Sequence, residues 1–206
     1  MNTKKNLISS GVPIAEATKA IIMLHGRGGS AADIISLQRL LHLNEFAIYA
    51  PQATNNSWYP YSFMAPDEQN QPALNSALET VAQTVAEIEA AGILAEHIYF
   101  AGFSQGACLT LEFIATHPKR YGGVIAFTGG LIGQHLDEAK YTGDLAETPV
   151  FVSTGDPDPH VPVSRVKESI AVLERMNAFV TFTVYPGRQH TISSDEIRQA
   201  NAHILD

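Results

Sequence analysis

A serine that performs acyl transfer must stand exposed, with a base, a group that orients the base, and donors for a developing oxyanion within reach. Residues 98–109 hold a serine suited to this. Ile98-Tyr99-Phe100-Ala101 is an apolar run of strand type, Gly102-Phe103-Ser104-Gln105-Gly106 comes next, and Ala107-Cys108-Leu109 begins an apolar pattern of helix type. Gly-x-Ser-x-Gly between a strand and a helix is a nucleophile elbow, in which the serine occupies a sharp, strained turn. The flanking glycines leave room for that turn and for close helix–strand packing. The Ser104 hydroxyl is then expected at the carboxyl end of a sheet, beside a helix N-terminus that favours negative charge.

On such a sheet the acid and the base come after the serine in the order Asp or Glu, then His. Loops at later strand ends supply both: Asp158 lies beyond the Val150–Thr154 run, and His190 lies in the Pro186-Gly187-Arg188-Gln189-His190 loop. Asp156 shares the loop of Asp158, and topology alone does not choose between them. Asp156 directly succeeds Gly155 and precedes Pro157, where an aspartate commonly bonds its own turn; Asp158 lies further along and can reach inward. His160 is an alternative base on paper, but it shares the acid's loop and would leave His190 without a role. His42, His97, His117, His135 and His203 read as surface or capping residues, and His25 as a structural histidine pinning its loop. The backbone N–H of Gln105, directly after the serine, is one expected oxyanion donor. The backbone N–H of Arg27, in His25-Gly26-Arg27-Gly28-Gly29, is the other. That glycine-rich loop lacks the Gly-Lys-Ser/Thr ending of a phosphate loop. Cys108, one helical turn past Ser104, reads as a small core residue.

The elements that must position these groups alternate. Ala20–Leu24, Phe46–Ala50, residues 97–101, Val124–Phe127, Val150–Thr154 and Phe179–Val184 are strand-like, several of them continuous apolar runs as in strands buried on both faces. Between them come helical patterns. Ser30 and Asp33 open one carrying Ile34, Leu37 and Leu41. Pro72 to Gly92 holds an amphipathic face of Leu74, Leu78, Val81, Val85 and Ile88. The elbow helix runs to about His117. Ser164 opens one with Val166, Ile170 and Leu173 inward. Ser193 and Glu196 form a capping box for a last helix with Ile197, Ala200 and Ile204. Residues 1–16 read as irregular, with a short edge strand around Leu7–Val12. Residues 52–71 and those from Gly129 to Thr148 read as loops. Trp58, Tyr59 and Phe63 cluster in the first of these, at the carboxyl side of the sheet, where they are expected to wall an acyl or aryl site. The pattern predicts an α/β fold: a doubly wound, mostly parallel sheet with helices on both faces.

The chain has 206 residues, 11 prolines, one cysteine and a formal net charge of −8. Length and the absence of repeats or linkers predict one domain over residues 1–206. The acidic balance argues against nucleic acid and anionic membrane surfaces as partners. No apolar segment comes after Lys4 and Lys5, and no run approaches a membrane span, so a cytoplasmic location is expected. A lone cysteine excludes an internal disulfide.

Taken together, His25-Gly26-Arg27-Gly28-Gly29, Pro51-Gln52, the elbow, Gly155-x-x-Asp158-x-x-Val161-Pro162 and Pro186-Gly187-x-x-His190 resemble the phospholipase/carboxylesterase family of α/β-hydrolases, from about residue 18 to 204. The resemblance implies a serine hydrolase with little or no lid, no cofactor and no metal, acting on a small-molecule ester. It implies Ser104, Asp158 and His190 as triad and Arg27 and Gln105 as backbone oxyanion donors, and so favours Asp158 over Asp156. The family includes acyl-protein thioesterases and lysophospholipases as well as small bacterial carboxylesterases. Arg27, where an apolar residue is usual, and the aromatic Trp58–Phe63 loop depart from the thioesterase branch and point to short-chain or aryl esters. A homodimer is left open. The rival from another class is a non-catalytic binding protein on the same fold. Ring opening of dienelactone type uses a cysteine nucleophile, whereas this elbow carries serine.

Overall fold

A computed structural model describes residues 7–206. Its strands are β1 (Leu7–Gly11), β2 (Lys19–Leu24), β3 (Phe46–Pro51), β4 (Ile98–Phe103), β5 (Gly123–Phe127), β6 (Pro149–Asp156) and β7 (Phe179–Pro186). They form one sheet in the order β1-β3-β2-β4-β5-β6-β7. Every neighbouring pair is parallel except β1 with β3, so the edge strand expected near Leu7 is present and runs antiparallel. The rest of the irregular stretch expected over residues 1–16 lies partly outside the described residues.

The helices are α1 (Ala31–Ile35), α2 (Asp67–Asn70), α3 (Ala73–Ala90), α4 (Gln105–Thr116), α5 (Val163–Arg175) and α6 (Ser194–Ala200). Side chains alternate across a strand, so each central strand feeds two apolar layers. Ala20, Ile22 and Leu24 of β2 join α3, α4 and α5 on one face. Ile21 and Met23 join α1, α6 and the Ile204–Leu205 end on the other. The α/β-hydrolase architecture read from the sequence is therefore observed, with an apolar layer on each side of the sheet and no large lid among the described residues.

Local details differ. The helix opened by Ser30 has the expected capping box, with Asp33, but is α-helical only to Ile35 and then tightens into a 3-10 turn over Ser36–Arg39. Ser36 Oγ donates to the Asp33 carbonyl at 2.6 Å, a local bond that competes with the helix pattern. The loop over residues 52–71 contains α2 and a turn at Thr54–Asn56. Buried Asn70 ties it down, accepting from Tyr61 N–H at 2.9 Å and donating to the Ser62 carbonyl at 2.8 Å. The helix of the Ser164 region starts at Val163. The last helix widens after Ala200 into a π turn ending at Leu205.

Candidate active site

Strands β2, β4, β6 and β7 end on the same side of the sheet, because they are parallel, and their loops deliver the chemistry-bearing residues. Ser104 joins β4 to α4 with φ 53° and ψ −117°, a conformation a serine rarely adopts. Its N–H donates to the Phe127 carbonyl at 3.0 Å, and its carbonyl accepts from Cys108 N–H at 2.9 Å, so β5 and α4 over-determine the strained turn. The glycines are required: a Cβ on Gly102 would lie 2.4 Å from the Gly106 carbonyl oxygen, and one on Gly106 would lie 2.1 Å from that of Leu24.

His190 Nε2 lies 2.8 Å from Ser104 Oγ, and its Nδ1 lies 2.8 Å from Asp158 Oδ2. The other Asp158 oxygen accepts from the backbone N–H groups of His160 and Val161, both at 2.9 Å. Burial works to raise the Asp158 pKa, but the bonds from His190 and from these two N–H groups outweigh it and hold the carboxyl below its usual range. Asp156 is exposed at the end of β6, and its carbonyl accepts from Gly187 N–H. His160 packs edge-on against His190, ring centroids 4.9 Å apart.

A side-chain network that the sequence pattern does not reveal holds the His190 loop. Arg188, almost fully buried, lies 3.3 Å through Nε from a Glu196 Oε2 with no exposure. Its other nitrogens donate to Thr128 Oγ1 at 2.6 Å, to the Gln189 carbonyl at 2.7 Å and to the Thr191 carbonyl. Glu196 also accepts from Ser153 Oγ at 2.6 Å and from its own N-cap, Ser193. The capping-box pattern found Glu196, but nothing local marks it as the counter-ion of Arg188.

The glycine-rich loop is pinned by His25, as expected. His25 Nδ1 bonds the Gly26 carbonyl at 2.8 Å, and its Nε2 accepts from Ala53 N–H at 3.1 Å, which fixes a neutral tautomer. Burial lowers the His25 pKa. A Cβ on Gly26 would sit 3.3 Å from the Phe103 carbonyl oxygen, so the loop lies close against the elbow.

The side chains of Arg27 and Gln105 hold the aromatic loop. Arg27 Nη1 donates to Ser57 Oγ and the Pro60 carbonyl, both at 2.9 Å, and Nη2 to the Tyr61 carbonyl at 2.6 Å. Gln105 accepts from Trp58 N–H at 3.0 Å and donates to the Tyr59 carbonyl at 2.8 Å.

These groups open onto a cavity of about 470 Å³ lined by Ser104, His190, Arg27, Tyr59, Phe63 and Cys108, with Tyr61, His160 and Val161 around them. Tyr59 and Phe63, two of the three aromatic residues expected to wall the site, are on this lining. Trp58 is not on this lining but borders a neighbouring cavity of about 600 Å³; its indole N–H donates to the His25 carbonyl at 2.8 Å, and its ring lies tilted against that of His25. That bond satisfies the indole N–H of a ring that is itself buried. Burial pushes the Cys108 thiol up to about 12, which leaves it protonated and unreactive. Among the described residues no three His, Cys, Asp or Glu side chains gather as a metal site, and no helix is long and apolar enough to cross a membrane.

The sequence model of the phospholipase/carboxylesterase family matches residues 11–205. The chain belongs to that family. It is a hydrolase of the esterase type. It is similar over 98% of its length, at 68% identity and a TM-score of 0.97, to the crystal structure of a phospholipase/carboxylesterase from Dyadobacter fermentans, 97% of which is covered. It is 29% identical to acyl-protein thioesterase 1 of Saccharomyces cerevisiae, covering 93% of both chains. It is 28% identical to carboxylesterase SOBER1 of Arabidopsis thaliana, over 89% of this chain and 88% of that one.

Proposed function

We propose that this esterase acts through Ser104, His190 and Asp158, and that the observation carrying this reading is His190 bonded to both partners at 2.8 Å at the edge of the cavity. Ser104 Oγ attacks the ester carbonyl while His190 Nε2 takes its proton. Asp158 accepts from Nδ1–H, holds the tautomer in which Nε2 has its lone pair free, and stabilises the imidazolium. His190 then protonates the leaving alkoxide. A water that His190 deprotonates releases the acid from the acyl-serine. The carbonyl oxygen gains charge in each tetrahedral intermediate, and the backbone N–H groups of Arg27 and Gln105 are proposed to receive it; one such donor is worth roughly 10²–10³ in kcat.

The substrates proposed are short-chain or aryl esters. Tyr59 and Phe63 give the cavity aromatic walls, and a volume of about 470 Å³ suits a small ester. A reducing compartment such as the cytoplasm fits a chain whose one cysteine is a free, buried thiol.

Ser104→Ala tests the reading. Its kcat on p-nitrophenyl acetate should drop by roughly 10⁶, with labelling by a fluorophosphonate abolished and the far-ultraviolet circular dichroism unchanged. A variant that keeps a tenth of the wild-type rate would sink the proposal.

A further inference from the structure

The cavity beside Ser104 is unusual in charge for a chain of net charge −8. No aspartate or glutamate lines it among the described residues. The Asp158 carboxylate near it has no side-chain exposure, and both its oxygens are already bonded, to His190 and to two backbone N–H groups. Among the described residues, the one permanently charged group on the wall is the Arg27 guanidinium. It is held by three neutral acceptors, Ser57 Oγ and the Pro60 and Tyr61 carbonyls, and packs 5.8 Å from the centre of the Tyr59 ring. No carboxylate among the described residues lies within ion-pair distance of it.

A guanidinium has five N–H donors. Three are used by the loop, which leaves two without a protein acceptor among the described residues. The three bonds also pre-order the long side chain, so a ligand that meets it immobilises little more. A loop clamp alone calls for neutral hydrogen bonding, which the amide side chain of Gln105 already supplies to the same loop. At Arg27 the clamp carries a full positive charge with no counter-ion among the described residues, at the wall of the site where the ester must lie.

We infer that Arg27 recognises an anionic group on the substrate, so that the preferred esters carry a carboxylate beyond the scissile bond. This rests on the reading of Ser104 as the nucleophile of an esterase. The carboxylate can belong to the acyl part or to the alcohol part, and two matched pairs of esters distinguish these. The acyl pair is the p-nitrophenyl half-ester of glutarate and the p-nitrophenyl ester of glutaramate. The alcohol pair is p-acetoxybenzoate and p-acetoxybenzamide. Each pair differs by one charge at nearly constant shape.

The measurement is kcat/KM on all four for the wild type, Arg27→Gln and Arg27→Lys, at about 0.02 M and about 0.5 M salt. In one pair the wild type should favour the carboxylate by roughly tenfold or more, as for a charge-assisted hydrogen bond. High salt should shrink that ratio, since ions screen a partly exposed charge. Arg27→Gln should bring the ratio to about one or below, and Arg27→Lys should keep part of it. The neutral member of each pair reports any damage from loosening the Ser57–Tyr61 loop, so the ratio isolates recognition of charge. Wild-type turnover with a ratio near one in both pairs overturns the inference and leaves the esterase reading intact, as does a full ratio surviving in Arg27→Gln. No turnover of any of the four by the wild type overturns both. Arg27 also borders a second cavity, of about 600 Å³, across the Ser57–Pro60 loop. An anion held there would not enter the turnover ratio, so such a site cannot mimic the expected result.

Discussion

Replacing Asp158 by asparagine removes one charge and changes almost no volume, and the bonds at this position dictate how the new side chain must sit. Asp158 Oδ1 accepts two backbone N–H groups, from His160 and Val161, while Oδ2 accepts from His190 Nδ1. An asparagine has one oxygen and one NH₂. Placing the NH₂ against two backbone N–H groups would set donor against donor twice. Placing the oxygen there keeps both of those bonds, so this orientation wins. The NH₂ then points at His190 Nδ1, which must become an acceptor. The imidazole proton moves to Nε2, which faces Ser104 Oγ at 2.8 Å and can no longer take its proton. The expected loss in kcat is roughly 10⁴. The fold should hold, because the two backbone bonds survive; the loss of a charge-assisted bond in a buried setting costs about 1–3 kcal/mol. The assay is steady-state turnover of p-nitrophenyl acetate, with fluorophosphonate labelling rates as a second readout and urea unfolding as the control. Asp156→Asn is the comparison: an exposed residue whose change should move stability by about 1 kcal/mol or less and turnover by less than a factor of about three. If Asp158→Asn keeps more than a tenth of wild-type kcat, or if Asp156→Asn is the variant that abolishes it, the tautomer argument is wrong.

Trp58→Ala should lower stability by about 3–5 kcal/mol, through a core cavity and an orphaned His25 carbonyl, while KM for a short aryl ester changes by less than about threefold; a tenfold rise in KM at unchanged Tm would return Trp58 to the substrate wall. Arg188→Met strands the Glu196 carboxylate in the interior and should cost about 3–5 kcal/mol, with part recovered in Arg188→Met/Glu196→Gln; a single variant within about 1 kcal/mol of wild type would show that the pair does not hold the His190 loop. Burial lowers the His25 pKa, so the unfolded chain takes up a proton near pH ~6.5 that the folded chain refuses. The stability owed to neutral His25 is complete above that pH and is lost as pH falls towards the lower folded value. Urea midpoints of wild type and His25→Gln should therefore converge on acidification, and a difference that widens below pH ~6 would refute the sign.

What the sequence determined by itself were the features written in contiguous residues. Hydrophobic period distinguishes strand from helix, two glycines around Ser104 admit a turn that no Cβ could share, and Ser193 with Glu196 closes a helix end within one turn. Parallel order then puts the loops after β4, β6 and β7 on one side, so Ser104, His190 and an aspartate of the β6 loop are legible as a set from the chain alone. Tertiary structure decided the direction in which long or polar side chains point, because that depends on partners far along the chain. Trp58 reads as a wall of the serine cavity, but the fold bonds its N–H to the His25 carbonyl and sets its ring on the neighbouring cavity. Glu196 reads as a cap until Arg188 arrives from the preceding loop. Asp158 is separated from Asp156 by two backbone N–H groups and an imidazole 32 residues away. Arg27 reads as a backbone donor, and only the folded Ser57–Tyr61 loop reveals that its guanidinium stands ordered and charged at the serine's cavity, with no carboxylate partner among the described residues. A buried or clamped polar group satisfies itself with whatever acceptor the fold brings near, and that choice has no signature in local spacing.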